Sequence, residues 1–239
     1  MPHLLWIFHR KKCWGEYLRN IEVGDAFYTP NEELANTITH AIGALLAITG
    51  LVILVFFSGN MHWLKTTSFI VYGLCLICGF AASALYHGLR DEKWKGIMRL
   101  VDHGCIFLLI AGTYTPFMLI IVKGWLGSAI LVTVWIMAIV GILLLFSKTE
   151  LPQYASTVPY LVMGWLALFA IKPLYEYSID FGWNMFALLL AGGLFYSFGT
   201  FFYKRDEMAY NHPIWHLFVL AGSIFHFFAV FSYVVPHPL

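Results

Sequence analysis

Seven apolar stretches, each about as long as a bilayer-crossing helix and nearly free of charge, constrain this chain more than any motif it carries. They lie near 34–57, 67–87, from 100 through Pro116, 126–146, from 159 onward, 183–203 and 213–235. A hydrocarbon core takes roughly 20 apolar residues per helix, so seven helices account for about 140 residues. What is left is short loops and an N-terminal arm, with no room for a soluble domain. A chain that is 60% hydrophobic and only 11% charged, with a mean hydropathy of +0.76, lies outside the range of soluble globular proteins. The expected fold is all-α, a seven-transmembrane helix bundle, with residues 1–33 as an interfacial arm and 34–239 as the membrane domain.

The arm mixes Trp6, Phe8, Trp14 and Tyr17 with basic residues, which suits a segment lying on a membrane surface. Its basic run Arg10, Lys11 and Lys12 follows apolar residues, the reverse of a secretory signal's order, so no cleaved leader is expected. Arg90 to Arg99 reads as a charged loop between the second and third spans. Pro116 should kink the third span or end its regular hydrogen bonding. Lys172 and Pro173 interrupt the fifth, and Gly192 and Gly193 allow close helix contact in the sixth. Cys75 and Cys78 form a CxxC inside an apolar run, where packed thiols are the simpler reading than a redox pair.

Loop charges orient the bundle. With the N-terminus inside, one set of segments holds Arg10, Lys11, Lys12, Arg19, Arg90, Lys93, Lys95, Arg99, Lys148, Lys204 and Arg205, and the other only Lys65, Lys123 and Lys172. Eleven against three predicts a cytoplasmic N-terminus and a C-terminus outside. On that topology His87, Asp102, His212 and His216 all fall at the inner end of their spans. Ser83 and His216 lie about 6 Å deeper than His87 and His212, at 1.5 Å rise per residue.

Ionisable groups at membrane depth are costly and mark functional sites by default. His212 and His216 are four residues apart, so a helix turns both rings to one side. Three histidines with one open position match a catalytic zinc site, whereas a closed structural site wants a fourth protein ligand, for which Cys105 is the available residue. The plainer alternatives are a hydrogen-bonded histidine cluster, Asp102 paired with Arg99, and Ser83 bonded to the carbonyl one turn back. His40 and Asn36 share the depth and could simply bridge helices. His103 points away from Asp102 and reads as structural or lipid-facing, and His226, about 15 Å beyond His216, is too deep to be a ligand.

Glu33, Asn36, Thr37 and His40, the Ser83-x-x-x-His87 ending, Arg99-x-x-Asp102-His103, the run Ala111-Gly112-Thr113-Tyr114-Thr115-Pro116, Met163-Gly164-Trp165 and His212-x-x-x-His216 together resemble the hemolysin III family. That family is similar to the progestin and adiponectin receptors and, more distantly, to the alkaline ceramidases. The resemblance implies zinc on His87, His212 and His216, with Asp102 and Ser83 close to a zinc-bound water. Here Pro213 follows the first histidine of the pair and disfavours helical geometry at His212, so His212 is expected in a cap, with Asn211 as the N-cap residue.

Three functions compete at this stage: a zinc-dependent hydrolase of a lipid amide or ester with Asp102 and Ser83 as catalytic residues, a receptor or regulatory protein with structural zinc, and a cytolytic pore. A pore needs a polar lining across the bilayer. Mid-span residues such as Thr113, Thr133, Ser197 and His226 are too sparse to supply one within a single chain. The expected partners are membrane lipids and a lipid or fatty acid within the bundle; no nucleic-acid motif is present, and the sequence specifies no oligomeric state. The expected location is the cell membrane, plasma or inner, as a multi-pass protein.

Overall fold

The computed structural model describes residues 28–58, 62–147, 154–182 and 184–237. Expectations for the rest of the arm, for Lys148 and for Trp183 lie outside the described residues. Within them the chain is all-helical, and seven helices are long and apolar enough to cross a membrane. The helices are α1 (Pro30–Ser58), α2 (Trp63–Gly88), α3 (Glu92–Pro116), α4 (Gly124–Phe146), α5 (Tyr154–Trp165), α6 (Ile171–Phe181), α7 (Asn184–Tyr203) and α8 (Asn211–Ala229). Together α5 and α6 make one span.

Consecutive helices pack as neighbours, and α1 also packs on α8, which closes the ring. The third span is the most buried. It touches α2 and α4 along its length and reaches α5. Outward faces carry large exposed apolar side chains such as Leu45, Phe56 and Trp125, as suits helices that cross a membrane. Helices approach closely where a glycine faces a bulky side chain. A Cβ on Gly43 would lie 2.5 Å from the Phe80 ring, and one on Gly112 would lie 2.5 Å from Cys75. Cys75, Cys78 and Cys105 are free, with Cys75 packed on Gly112.

Two features differ from the sequence expectation. The stretch from Glu92 to Arg99 is the opening of α3 and no loop, because Asp91 caps it: its Oδ1 accepts the Trp94 N–H at 3.0 Å. Lys65, expected in an outer loop, is buried in α2 and donates to the Val235 carbonyl and, at 2.6 Å, to that of His237.

The proline expectations can be traced to backbone geometry. Pro116 cannot donate to the carbonyl four residues back, and the helix continues as a π-helix over Phe117–Val122. Pro173 sits in the first turn of α6, where a missing N–H costs little, and the irregularity precedes it as a 3-10 stretch over Leu166–Ala170. The Tyr114 hydroxyl lies at that break, 2.8 Å from the Met163 carbonyl and 2.7 Å from that of Gly164, and it accepts the Ala167 N–H at 2.7 Å. Backbone groups freed inside a membrane must find partners. Two motifs far apart in the sequence, 111–116 and 163–165, therefore meet at one hydroxyl.

Candidate metal centre

His87 occupies the last turn of α2, and His212 and His216 the first two turns of α8. The expected cap at His212 is not what forms. The helix begins at Asn211, preceded by Tyr210 in the left-handed region (φ 57°), and Tyr210, not Asn211, is the N-cap. Pro213 then falls where first-turn N–H groups have no intrahelical acceptor, so it does not disturb the helix. The left-handed turn is held from α1: Glu32 Oε1 accepts the Tyr210 N–H at 2.8 Å. Glu32 itself is fixed by a capping box, its Oε2 accepting the Thr29 N–H at 2.8 Å while Thr29 Oγ1 receives the Glu32 N–H at 3.3 Å.

The three rings converge. Centroids are 4.9 Å apart for His87 and His212, 5.1 Å for His87 and His216, and 4.5 Å for His212 and His216. One nitrogen from each lies within 4.8 Å of the others, and all three residues are buried. His87 Nε2 and His212 Nε2 are only 3.2 Å apart. Facing lone pairs at that distance repel unless a proton or a cation lies between them. Two nitrogens bound tetrahedrally to one metal at about 2.05 Å would be roughly 3.3 Å apart, so the spacing fits a shared ion.

The other ring nitrogen of each histidine has an outer partner, and these come from α1 or the residues just before it. His87 Nδ1 donates to Glu33 Oε2 at 2.6 Å, with the Asn36 amide 3.3 Å away. His212 Nδ1 is 2.9 Å from the Tyr28 hydroxyl. His216 Nδ1 is 3.2 Å from Thr39 Oγ1, whose own proton goes to the backbone carbonyls of Ala35 and Asn36, so the oxygen accepts from the ring. A proton on Nδ1 leaves Nε2 as the lone-pair nitrogen, the form a metal binds. Glu33 is in turn paired with Lys95 at 2.7 Å, and Lys95 also donates to the Tyr86 and Leu89 carbonyls at the end of α2. These residues can therefore hold a divalent metal: three imidazoles, with acceptors at Nδ1 of His87 and His216 and, at Nδ1 of His212, a hydroxyl able to donate or accept.

Asp102 and Ser83 are buried beside this trio, though not within the set whose atoms could share one ion. They line the same cavity as His40, His212 and His216. The Asp102 carboxylate lies next to Ser83 and Arg99. Ser83 Oγ makes no bond to the carbonyl one turn back, the plainer alternative for it, and is buried beside that carboxylate. Cys105 is not among the convergent ligands. His103 does not face lipid: its Nδ1 donates to the Arg99 carbonyl at 2.9 Å, and the residue lines the cavity wall. His40 does more than bridge helices. Its ring stacks on His216 with centroids 3.5 Å apart, and neither of its nitrogens has a partner.

Tyr28 and Thr39 escaped the sequence reading, Lys95 entered it only as a loop charge, and Glu33 only as part of a motif. A signal was present for α1: Glu33, Asn36 and His40 recur at helical spacing on one face of an otherwise apolar helix. Thr29-x-x-Glu32 is likewise a legible capping box.

Seven spanning helices and a buried histidine trio at one end define a multi-pass membrane protein with a candidate metal centre. Residues 28–227 match the family described as Haemolysin-III related, and the chain belongs to that family. It is 44% identical over 206 residues to "Hemolysin-3" of Bacillus cereus, covering 86% of this chain and 93% of that protein. It is 44% identical over 213 residues to "Hemolysin-3 homolog" of Bacillus subtilis (strain 168), covering 88% and 98%. With "Monocyte to macrophage differentiation factor" of Homo sapiens it shares 30% over 236 residues, 95% of this chain and 96% of the relative.

Proposed function

We propose that this chain is a zinc-dependent hydrolase of a lipid amide or ester, with its site in the cytoplasmic leaflet and a lipid chain in the bundle. The observation that carries the reading is a three-imidazole cluster, two of whose rings line an apolar cavity together with a buried carboxylate and the serine hydroxyl beside it. A closed structural site would take four protein ligands. When bound, zinc would supply Lewis acidity and a water acidified to a pKa of about 7. His87, His212 and His216 would hold it, oriented by Glu33, Tyr28 and Thr39.

Asp102 takes the proton from the attacking water as its oxygen adds to the scissile carbonyl carbon. Ser83 Oγ donates a hydrogen bond to the oxygen that becomes negative. Asp102 then returns the proton to the leaving amine or alkoxide as its bond to that carbon breaks. Phe80, Ile106 and Leu109 on the cavity wall keep bulk water away and accept the acyl chain. The excess of basic residues in the segments next to this end supports a cytoplasmic position for it.

The test is metal analysis of purified protein together with cleavage of a ceramide-like amide before and after chelation. Zinc at one per chain, with turnover lost on stripping and restored on readdition, is the expected result. Equal rates in both forms would reject the mechanism.

A second reading has its own observation. The site joins α1, α2 and α8 through Tyr28, Glu33 and Thr39, as a structural fastener in a receptor would. It predicts that Asp102→Ala changes nothing measurable while His216→Ala lowers thermal stability. The pore suggested by the relatives' names has no such support, and dye retention by liposomes holding the purified protein is the expected outcome.

A further inference from the structure

His40 takes no part in the chemistry above, yet its ring lies flat on that of His216, with centroids 3.5 Å apart and planes 14° from parallel. Carbon atoms in contact sit about 3.5–4.0 Å apart, so this separation leaves no room for a sideways offset. The two rings are face to face. Neutral aromatic rings disfavour that arrangement, because π faces of like sign meet, and they settle offset or edge-on instead. It becomes favourable when one ring is electron-poor and the other offers it a π face.

The nitrogens of His40 do not account for its place. The residue is buried, and neither nitrogen makes a hydrogen bond of normal length and angle. A polar ring in such surroundings costs folding free energy. Its pose is nevertheless fixed. Phe80 packs on it at 85° with centroids 5.2 Å apart, and Phe80 is itself seated over Gly43, where a Cβ would lie 2.5 Å from the phenyl ring.

We infer that His40 is a positioning residue of the metal centre, kept for the face of its ring: it holds the His216 imidazole in plane and favours that imidazole in its ion-bound form. This rests on the reading that the trio takes a metal, and it adds a residue that binds no ion yet sets how tightly one is held. An ion on the outer nitrogen of His216 draws density from the ring, and the π face of His40 stabilises the electron-poor ring that results. Thr39 Oγ1, 3.2 Å from His216 Nδ1, fixes the same ring at its edge. Folding and metal binding therefore make opposite demands on position 40. His40→Leu, close to the imidazole in volume, removes two unbonded nitrogens and the π face in one step.

The experiment uses the full-length protein in detergent and three readings: melting temperature after chelator stripping, zinc affinity by competition with a fluorescent chelator, and the visible ligand-field bands with cobalt(II). Stripped His40→Leu should melt at or above wild type, bind zinc about three- to tenfold more weakly and shift the cobalt bands. His40→Phe keeps a ring face, and the cavity that residue 40 lines gives it room, so it should recover most of the affinity. Unchanged zinc affinity in His40→Leu would overturn the inference. So would a weaker affinity accompanied by a lower melting temperature of the stripped protein, the mark of a packing role alone. Affinity in a folded His40→Phe as weak as in His40→Leu would overturn it too; if His40→Phe does not fold, the His40→Leu readings decide. Wild-type protein that takes up no zinc would reject the metal reading and the inference together.

Discussion

Glu33 offers the sharpest test of the metal centre, because it touches no metal itself and acts only through His87. Its Oε2 accepts the His87 Nδ1 proton at 2.6 Å, and its Oε1 meets Lys95 at 2.7 Å. Outer partners of metal-bound histidines are worth roughly 10- to 100-fold in metal affinity, about 1.4 to 2.8 kcal/mol. Glu33→Gln keeps an oxygen for Nδ1 and loses the charge, so it belongs near the lower figure; Glu33→Ala loses both and belongs near the upper. The Lys95 contact adds little, since both side chains are partly exposed and solvent screens the pair. Competition of the purified variants against a calibrated fluorescent zinc chelator gives the affinity directly. Lys95→Met should fall within about threefold of wild type on the same assay. An unchanged affinity in Glu33→Ala would refute the tautomer argument, and with it the claim that α1 tunes the site.

Other expectations follow from single contacts. Asp102→Ala and Ser83→Ala should retain zinc at one per chain by elemental analysis and lose about 100-fold or more in turnover, while His216→Ala should lose both. Tyr114→Phe leaves the Met163 and Gly164 carbonyls and the Ala167 N–H unpaired, which should cost about 1–3 kcal/mol and lower the melting temperature in detergent. Gly112→Ala forces a methyl to within 2.5 Å of Cys75 and should destabilise by about 1–3 kcal/mol. Combining it with Cys75→Ala, which removes Sγ but keeps the Cβ that makes the 2.5 Å contact, should leave most of that loss in place in the same melting assay.

The bundle was legible because each span is long and apolar on its own, so no tertiary information is needed to find it. The histidines were legible for a related reason: in a chain this poor in charge, the few ionisable residues at one depth stand out. What was missed depends on how helices face one another. Tyr28 lies 184 residues from His212 along the chain, and Thr39 lies 177 from His216, and no local pattern couples them. The helical start at Glu92 was hidden because the basic residues that follow read as loop, whereas the Asp91 cap and the acceptors around Lys95 make them a helix end. Lys65 misled for the opposite reason. A lysine near the end of a span normally reaches water, yet this one ends on two backbone carbonyls of the C-terminal segment.

Because Tyr28, Glu33 and Thr39 all belong to one short stretch, the three rings do not lose their support independently. A slide of the first helix by a single turn, about 5.4 Å, separates all three outer contacts at once. For any ion held by the three rings, occupancy and the axial position of that helix would be thermodynamically linked, so a pull on the residues just ahead of Pro30 would weaken its binding.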